Sequence, residues 1–149
     1  MTHQEAAAAL DVIIGKILLF NKEVHALIDP GSTHSFITSA TASCLHQKPG
    51  VLGKDLAVST PLGKCVIVQT VYRDCSLQIN LVEFLADLIV FPLLELDVIL
   101  GMDWLTRHRA IVNCYTKEVI FEVHGQDKVI FCGERQAVPG CLVSAMTAF

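Results

Sequence analysis

The chain has 149 residues, of which 52% are hydrophobic and 17% are charged, and its formal net charge is -4. This length predicts one domain, with a core large enough to fold without disulfides or a structural metal. The negative charge, with lysines and arginines scattered singly, argues against a protein that binds nucleic acid or anionic membranes. The high apolar content indicates a large core, or an interface with a partner as well as a core.

The most membrane-like stretch of the chain is residues 82–105. It contains five acidic residues and Pro92, so no run of about 18 apolar residues remains. The stretch therefore predicts buried strands. The first ten residues contain an alanine run but no basic leader and no secretory layout. We expect no membrane association and an intracellular, cytoplasmic protein.

The six cysteines are widely and irregularly spaced, and no C-x-x-C motif occurs. This pattern predicts that most of them are small buried apolar residues and not disulfides. Cys44 and His46 form the one close Cys/His pair, and a zinc site would need two further ligands at recognisable spacing. We predict no metal site and no cofactor.

Strand-like patterns make up most of the chain. In chain order, the predicted strands cover residues 15–20, 24–28, 56–59, 65–72, 75–80, 82–91, 110–114, 118–123 and 128–132. Between the second and third of these runs, residues 39–46 predict a short helix that ends before Lys48-Pro49-Gly50. Short strands at such spacing favour an all-β barrel or sandwich.

The organisation along the chain follows from where this pattern begins and ends. A single domain is predicted over residues 13–132, after an N-terminal extension of residues 1–12. In residues 133–149, Pro139-Gly140 interrupts the strand pattern. We interpret this tail as a connector.

One carboxylate, Asp29, occupies a tight turn between two apolar runs. Gly31 follows two positions later, which allows the backbone to turn sharply. At the end of a buried strand, low polarity makes the protonation state of a carboxylate adjustable, as catalysis requires. The competing interpretation is an ordinary loop aspartate that caps a turn, because Asp-Pro-Gly is also common turn chemistry.

The sequence around Asp29 resembles a known family. Hydrophobic-hydrophobic-Asp-x-Gly-Ser/Ala is the signature of pepsin-like and retroviral aspartic peptidases. The longer run Leu-Ile-Asp-Pro-Gly-Ser-Thr-His-Ser-Phe-Ile, residues 27–37, resembles the protease segment of plant gypsy-type LTR retrotransposon polyproteins. The resemblance implies that Asp29 is catalytic and that Pro30, Gly31 and Ser32 form the active-site loop.

A second segment, Ile99-Leu100-Gly101, matches the apolar-apolar-Gly that follows in the same family. The resemblance implies that these residues support the active-site loop and that a short helix begins at Met102. It also implies a flap over the bound peptide, for which the hairpin of residues 56–72 is the candidate. The turn of that predicted hairpin, and so the substrate-binding part of the flap, consists of Thr60, Pro61, Leu62 and Gly63.

The resemblance covers roughly residues 13–132. It implies an all-β, retropepsin-like acid protease barrel with one or two short helices. It also implies that the tail leads toward reverse transcriptase and that the substrate is the protein's own polyprotein.

Peptide hydrolysis by carboxylates needs a pair, one as the base that activates water and the other as the acid that protonates the carbonyl oxygen. This chain has one Asp-x-Gly, so a single copy cannot assemble the pair as a two-lobed pepsin does. A symmetric homodimer brings Asp29 of each copy to the two-fold axis. The predicted function is therefore that of a homodimeric aspartic endopeptidase.

Pro30 departs from the family pattern, in which Thr or Ser usually stands between Asp and Gly. The family's hydroxyl and backbone N–H bond across the dimer axis, and proline has neither group. An alternative function therefore stays open, that of a catalytically weak or inactive retropepsin-fold module for dimerisation or peptide binding. A third interpretation, a small-ligand β-barrel, leaves the Asp-x-Gly loop unexplained.

Overall fold

The computed structural model describes residues 12–59, 65–92, 96–123, 125 and 128–133, together with the backbone of residues 147–148. The strands are β1 (Ile13–Leu19), β2 (Lys22–Ile28), β3 (Phe36–Thr38), β4 (Gly50–Ser59), β5 (Cys65–Ile79), β6 (Val82–Phe91), β7 (Val98–Leu100), β8 (Ala110–Asn113), β9 (Glu118–Phe121), β10 (Val129–Cys132) and β11 (Thr147–Ala148). The helices are α1 (Ser39–Ala42) and α2 (Met102–Arg107). The predicted all-β class with short helices is confirmed.

The first hairpin, β1–β2, ends directly before Asp29, the predicted catalytic residue. β1 pairs antiparallel with β2 in continuous register from Ile13 opposite Ile28 to Leu19 opposite Lys22. Phe20 and Asn21 form the turn, with φ angles of 48° and 65°. Two successive positive φ angles suit the right-handed twist of the flanking strands. Because the chain turns at these residues, β2 begins two residues earlier than predicted.

The main sheet places a strand from late in the chain beside the loop that carries Asp29. Its strand order is β1-β2-β7-β3-β6-β5-β4-β11, and β1 also pairs with β5, which closes the sheet on itself. β7 lies between β2, to which it is parallel, and β3, to which it is antiparallel. The loop between β2 and β3 therefore has the end of β7 directly beside it.

The long strand β5 replaces two predicted strands. The sequence predicted a break between residues 72 and 75, whereas the structure keeps one strand and places an irregularity in its pairing with β6 at this point. Asp74 takes a φ of 54° there and its N–H donates to Asp87 Oδ1 at 2.9 Å. Arg107 of α2 also donates to Asp74 Oδ1 at 3.0 Å. These hydrogen bonds give partners to the backbone N–H and the carboxylate of Asp74 at the irregularity, so β5 continues through it as one strand.

The second sheet, β10-β9-β8, packs on the main core beside α2. Trp104 is 2% exposed, and its ring centroid lies 5.3 Å from that of Phe121 and 6.1 Å from that of Phe84. This tryptophan therefore belongs to the core. Burial of these rings fixes α2 against the barrel and so fixes the position of its first turn.

The prediction for the cysteines is wrong for most of those described. Cys75 is buried, and burial raises the pKa of its thiol to about 12. Cys114 is half-buried, and three others are exposed: Cys44, Cys65 and Cys132. They lie on strand faces, hairpin ends or loops that point to solvent.

Within the described ranges, no helix is long and apolar enough to cross a membrane.

His108, just after α2, contacts the same aromatic cluster and gives the fold a pH dependence. Its Nε2 lies 2.7 Å from Leu85 O, and its ring centroid lies 5.2 Å from that of Phe84. Burial lowers the pKa of His108 below its usual 6.5. Below pH 6.5 the unfolded chain therefore binds a proton at this residue more readily than the folded chain does.

We expect the free energy of unfolding to fall as the pH drops from 6.5 through the folded pKa of His108, and to be unaffected by this group above that range. His108→Gln keeps an N–H donor for Leu85 O and removes the titration, so its stability should decline less between pH 7.5 and pH 5. Urea unfolding at both pH values measures this. His46→Gln, at an exposed histidine, is the control, and equal declines in all three proteins would contradict the assignment.

Candidate active site

Asp29 directly follows β2 and is held on both sides. Its backbone N–H donates to Leu100 O of β7 at 2.9 Å, and its Oδ1 accepts the Gly31 N–H at 2.9 Å. The residue is 2% exposed. A buried carboxylate at the end of a strand, with one oxygen bonded within its own turn, has a fixed position and orientation.

The residues after Asp29 form a closed turn. Ser32 N–H donates to Asp29 O at 3.1 Å, and Ser32 Oγ donates to His34 O at 2.8 Å. Ser32 is 1% exposed, whereas Pro30 is only partly buried and borders a surface groove beside α2. Pro30 thus occupies the outward side of the loop, and the polar atoms of Ser32 are satisfied within it.

Gly101 lies against this loop so closely that no side chain fits. A Cβ added at this residue would lie 2.3 Å from His34 O and 2.6 Å from Ser32 O. The φ angle of Gly101 is -102°, which is open to any residue, so close packing and not backbone conformation requires glycine here. The next residue, Met102, donates its N–H to Ser32 O at 2.7 Å. Leu100 and Gly101 therefore contact the loop, and the supporting role of Ile99-Leu100-Gly101 in catalysis stays a prediction.

Two polar residues for which the sequence predicted no role, Ser35 and Asp103, also hold the loop. Ser35 is fully buried where the loop leads into β3, and its Oγ donates to Asp103 Oδ1 at 2.7 Å. Ser35 Oγ also accepts the Gly101 N–H at 3.0 Å. Ser35 lies within the run of residues 27–37, and Asp103 lies two residues after Ile99-Leu100-Gly101. A hydroxyl next to an apolar strand and an acid in the first turn of a helix are the signals that point to them.

Asp97, directly before β7, accepts hydrogen bonds from three neighbouring elements. Its Oδ2 accepts the His25 N–H and its Oδ1 accepts the Thr41 hydroxyl, both at 2.9 Å, and its carbonyl accepts the Thr38 N–H at 3.0 Å. One aspartate thereby joins β2, α1 and β3. Its position directly before an apolar strand is the only sequence signal for this role.

The structure brings together Asp29, Gly31, Ser32 and the segment 99–101. The predicted flap residues Thr60, Pro61, Leu62 and Gly63 lie outside the described residues. The stem of that hairpin is described, with Val58 paired to Val66 and Ser59 paired to Cys65. The flap role of its tip stays a prediction. Among the described side chains, no group of three or more His, Cys, Asp or Glu residues is placed to hold a metal ion.

A family model described as retroviral aspartyl protease matches residues 1–127 of the chain. The chain belongs to this retroviral aspartyl protease family. The motif at Asp29 and the supporting segment at Gly101 both fall within the matched region. Among curated proteins, no sequence matches this one.

The fold of this retroviral aspartyl protease family member is similar to a solved structure described as the retroviral protease-like domain of Ddi1 from Leishmania major. The TM-score is 0.56 and the sequence identity is 11%, and the match covers 84% of this chain and 98% of that chain. At this identity the likeness concerns the fold. The retropepsin-like architecture expected from the sequence is thereby confirmed.

Proposed function

We propose that this protein is an aspartic endopeptidase that cleaves its own retrotransposon polyprotein in the cytoplasm. The observation that carries the proposal is the buried Asp29 carboxylate in a closed turn, bonded to Gly31 and braced by the end of β7. Membership in the retroviral aspartyl protease family supports the reaction class. The resemblance of residues 27–37 to gypsy-type retrotransposon proteases supports the polyprotein substrate.

The proposed chemistry uses two Asp29 carboxylates that share one proton. The ionised carboxylate takes a proton from a water molecule, and that water attacks the scissile carbonyl carbon. The protonated carboxylate donates its proton to the carbonyl oxygen. The carboxyl group that took the proton from water then gives it to the peptide nitrogen, and the C–N bond breaks as the carbonyl group re-forms and returns a proton to the pair. Two carboxyl groups at close range do not both ionise easily, because their negative charges repel each other. The pair therefore keeps one ionised and one protonated carboxyl group over an acidic pH range.

The pair requires two chains, because each chain supplies one Asp-x-Gly turn. Members of the family act as dimers on polypeptide substrates. In the proposed homodimer the turns at Asp29 meet at a two-fold axis. The partly exposed Pro30 and the neighbouring Met102, which is 41% exposed, place accessible apolar surface beside the turn that such contact would cover.

The test is self-cleavage of a longer precursor that contains this chain. The precursor should release the domain, and the same precursor with Asp29→Asn should stay intact. Loss of the intact band at equal rates in both proteins would show that another protease cuts it.

Pro30 predicts a weak dimer and a rate that depends on concentration. We expect activity per chain to rise with protein concentration, because proline offers neither a hydroxyl nor an N–H for bonds across the axis. Pro30→Thr should strengthen the dimer at least tenfold, if each of two restored bonds contributes about 1 kcal/mol. Sedimentation and specific activity over a dilution series measure both effects.

Pro92→Thr makes the same substitution at an exposed proline away from the loop, and it should leave the dimer unchanged. An equal or weaker dimer in Pro30→Thr would mean that the turn depends on the fixed backbone angle of proline. Constant specific activity at dilutions where only monomer is present would contradict the shared site.

The second candidate function is a catalytically inactive module for dimerisation or peptide binding. Pro30 favours it, since this residue removes the groups that lock the two loops in the family. If this is the function, the protein should form dimers or bind peptides, and the precursor should stay uncleaved at every protein concentration tested. Peptide binding that Asp29→Asn leaves unchanged would then support it over the endopeptidase.

A further inference from the structure

We propose that Ser35 is a positioning residue for the catalytic loop and that it acts through Asp103. The proposal rests on the proposed endopeptidase function and adds a determinant outside the Asp-x-Gly turn. Ser35 Oγ donates to Asp103 Oδ1 at 2.7 Å and accepts the Gly101 N–H at 3.0 Å. One buried hydroxyl thereby joins the end of the loop to the first turn of α2.

Ser35 is itself held in the barrel. Its carbonyl accepts the Ile89 N–H of β6 at 3.0 Å, and its side chain is fully buried. Asp103 is held as well, because its Oδ1 also accepts the Trp104 N–H at 2.7 Å, and Trp104 is fixed in the aromatic core. The Ser35 hydroxyl therefore connects the end of the loop to the first turn of α2. The lengths of its two hydrogen bonds fix the distance between these two segments.

The rest of the loop is attached to β7 and α2 by backbone groups. Asp29 N–H bonds to Leu100 O, and Met102 N–H bonds to Ser32 O. The end of the loop differs, because there a side chain accepts the buried Gly101 N–H. Without the hydroxyl, that N–H loses this acceptor, and Gly101 can shift away from Ser32 and His34, which it contacts closely.

Such a shift has a defined consequence for catalysis. The two carboxylates of the proposed dimer need a fixed separation to share a proton, and a displacement of about 1 Å can cost on the order of a hundredfold in rate. A wider separation also weakens the coupling between the two titrations. The two apparent pKa values of the pair then approach each other, and the pH range of activity becomes narrower.

The experiment compares Ser35→Ala, Asp103→Ala and Asp103→Asn in the full chain. The first two should lower kcat about ten- to a hundredfold per active site, with a smaller change in KM and a narrower pH profile. Asp103→Asn retains an oxygen acceptor for the hydroxyl and should recover most of the rate. Each single variant removes the shared Ser35–Asp103 bond and one further bond, so the double variant Ser35→Ala/Asp103→Ala should lose less activity than the product of the two single losses.

Ser76→Ala is the matched control, because Ser76 Oγ donates to a carboxylate oxygen of Glu83 at 2.6 Å away from the loop. Its kcat and pH profile should match the wild type. A merely structural role of Ser35 would lower the amount of folded enzyme without narrowing the pH profile of the active fraction, and that result would overturn the proposal. So would an unchanged kcat in Ser35→Ala.

Failure of the endopeptidase function is recognised separately, because wild type and Asp29→Asn would then be equally inactive. Amide hydrogen exchange tests the position of the loop without any activity. Ser35→Ala should speed exchange at Gly31, Ser32 and Met102 at least tenfold, and Ser76→Ala should not. Unchanged exchange at these amides would overturn the proposal whether or not the protein cleaves peptides.

Discussion

Asp29→Asn is expected to abolish precursor cleavage while leaving the fold intact. The amide oxygen of asparagine can still accept the Gly31 N–H that Asp29 Oδ1 accepts at 2.9 Å, so the turn should persist. The amide can neither take a proton from water nor exist as a carboxylic acid, so both roles of the pair are lost. We expect a loss of at least a thousandfold, measured as precursor cleaved per hour at acidic pH with matched thermal unfolding curves.

Asp74→Asn is the control for this experiment. Asp74 is exposed on the bulge of β5 with a φ of 54°, a conformation that asparagine adopts readily. This variant should cleave at the wild-type rate. Pepstatin-type inhibitors should block the wild type and chelators should not. Cleavage by Asp29→Asn above one-tenth of the wild-type rate would contradict the catalytic assignment.

Gly101→Ala is expected to have the second large effect, on the site and on stability together. The added methyl group would lie 2.3 Å from His34 O and 2.6 Å from Ser32 O, both of them backbone atoms that cannot rotate away. The loop or the start of α2 must move, and the Met102–Ser32 bond of 2.7 Å is strained or lost. We expect a loss of about 3 kcal/mol in unfolding free energy, together with loss of cleavage.

Gly53→Ala makes the same substitution where an added Cβ meets nothing within 4 Å. Its stability should equal or slightly exceed that of the wild type, because alanine restricts the unfolded chain. Denaturant unfolding of the three proteins decides the question. A Gly101→Ala protein within 0.5 kcal/mol of wild type would mean that the loop moves at little cost, contrary to the role of glycine inferred from the packing.

The turn at Asp29 was predictable because it depends on a short, local signal. An apolar strand, an aspartate and a glycine two residues later specify a buried carboxylate at a turn, and β2 and the turn after it have this form. The likeness to the retroviral aspartyl protease family then linked this turn to the distant Gly101. Strand boundaries were less predictable, as at Phe20 and Asn21, where the turn depends on positive φ angles that the sequence pattern does not display.

Strand periodicity and turn residues are local properties, so an all-β chain with one Asp-x-Gly turn could be predicted from the sequence. The side-chain hydrogen bonds that hold the turn depend instead on the tertiary structure. Ser35 and Asp103 are 68 positions apart in the chain, and they meet because β7 inserts between β2 and β3. Hydrogen bonds between such distant residues follow from strand order, and strand order is a property of the whole fold.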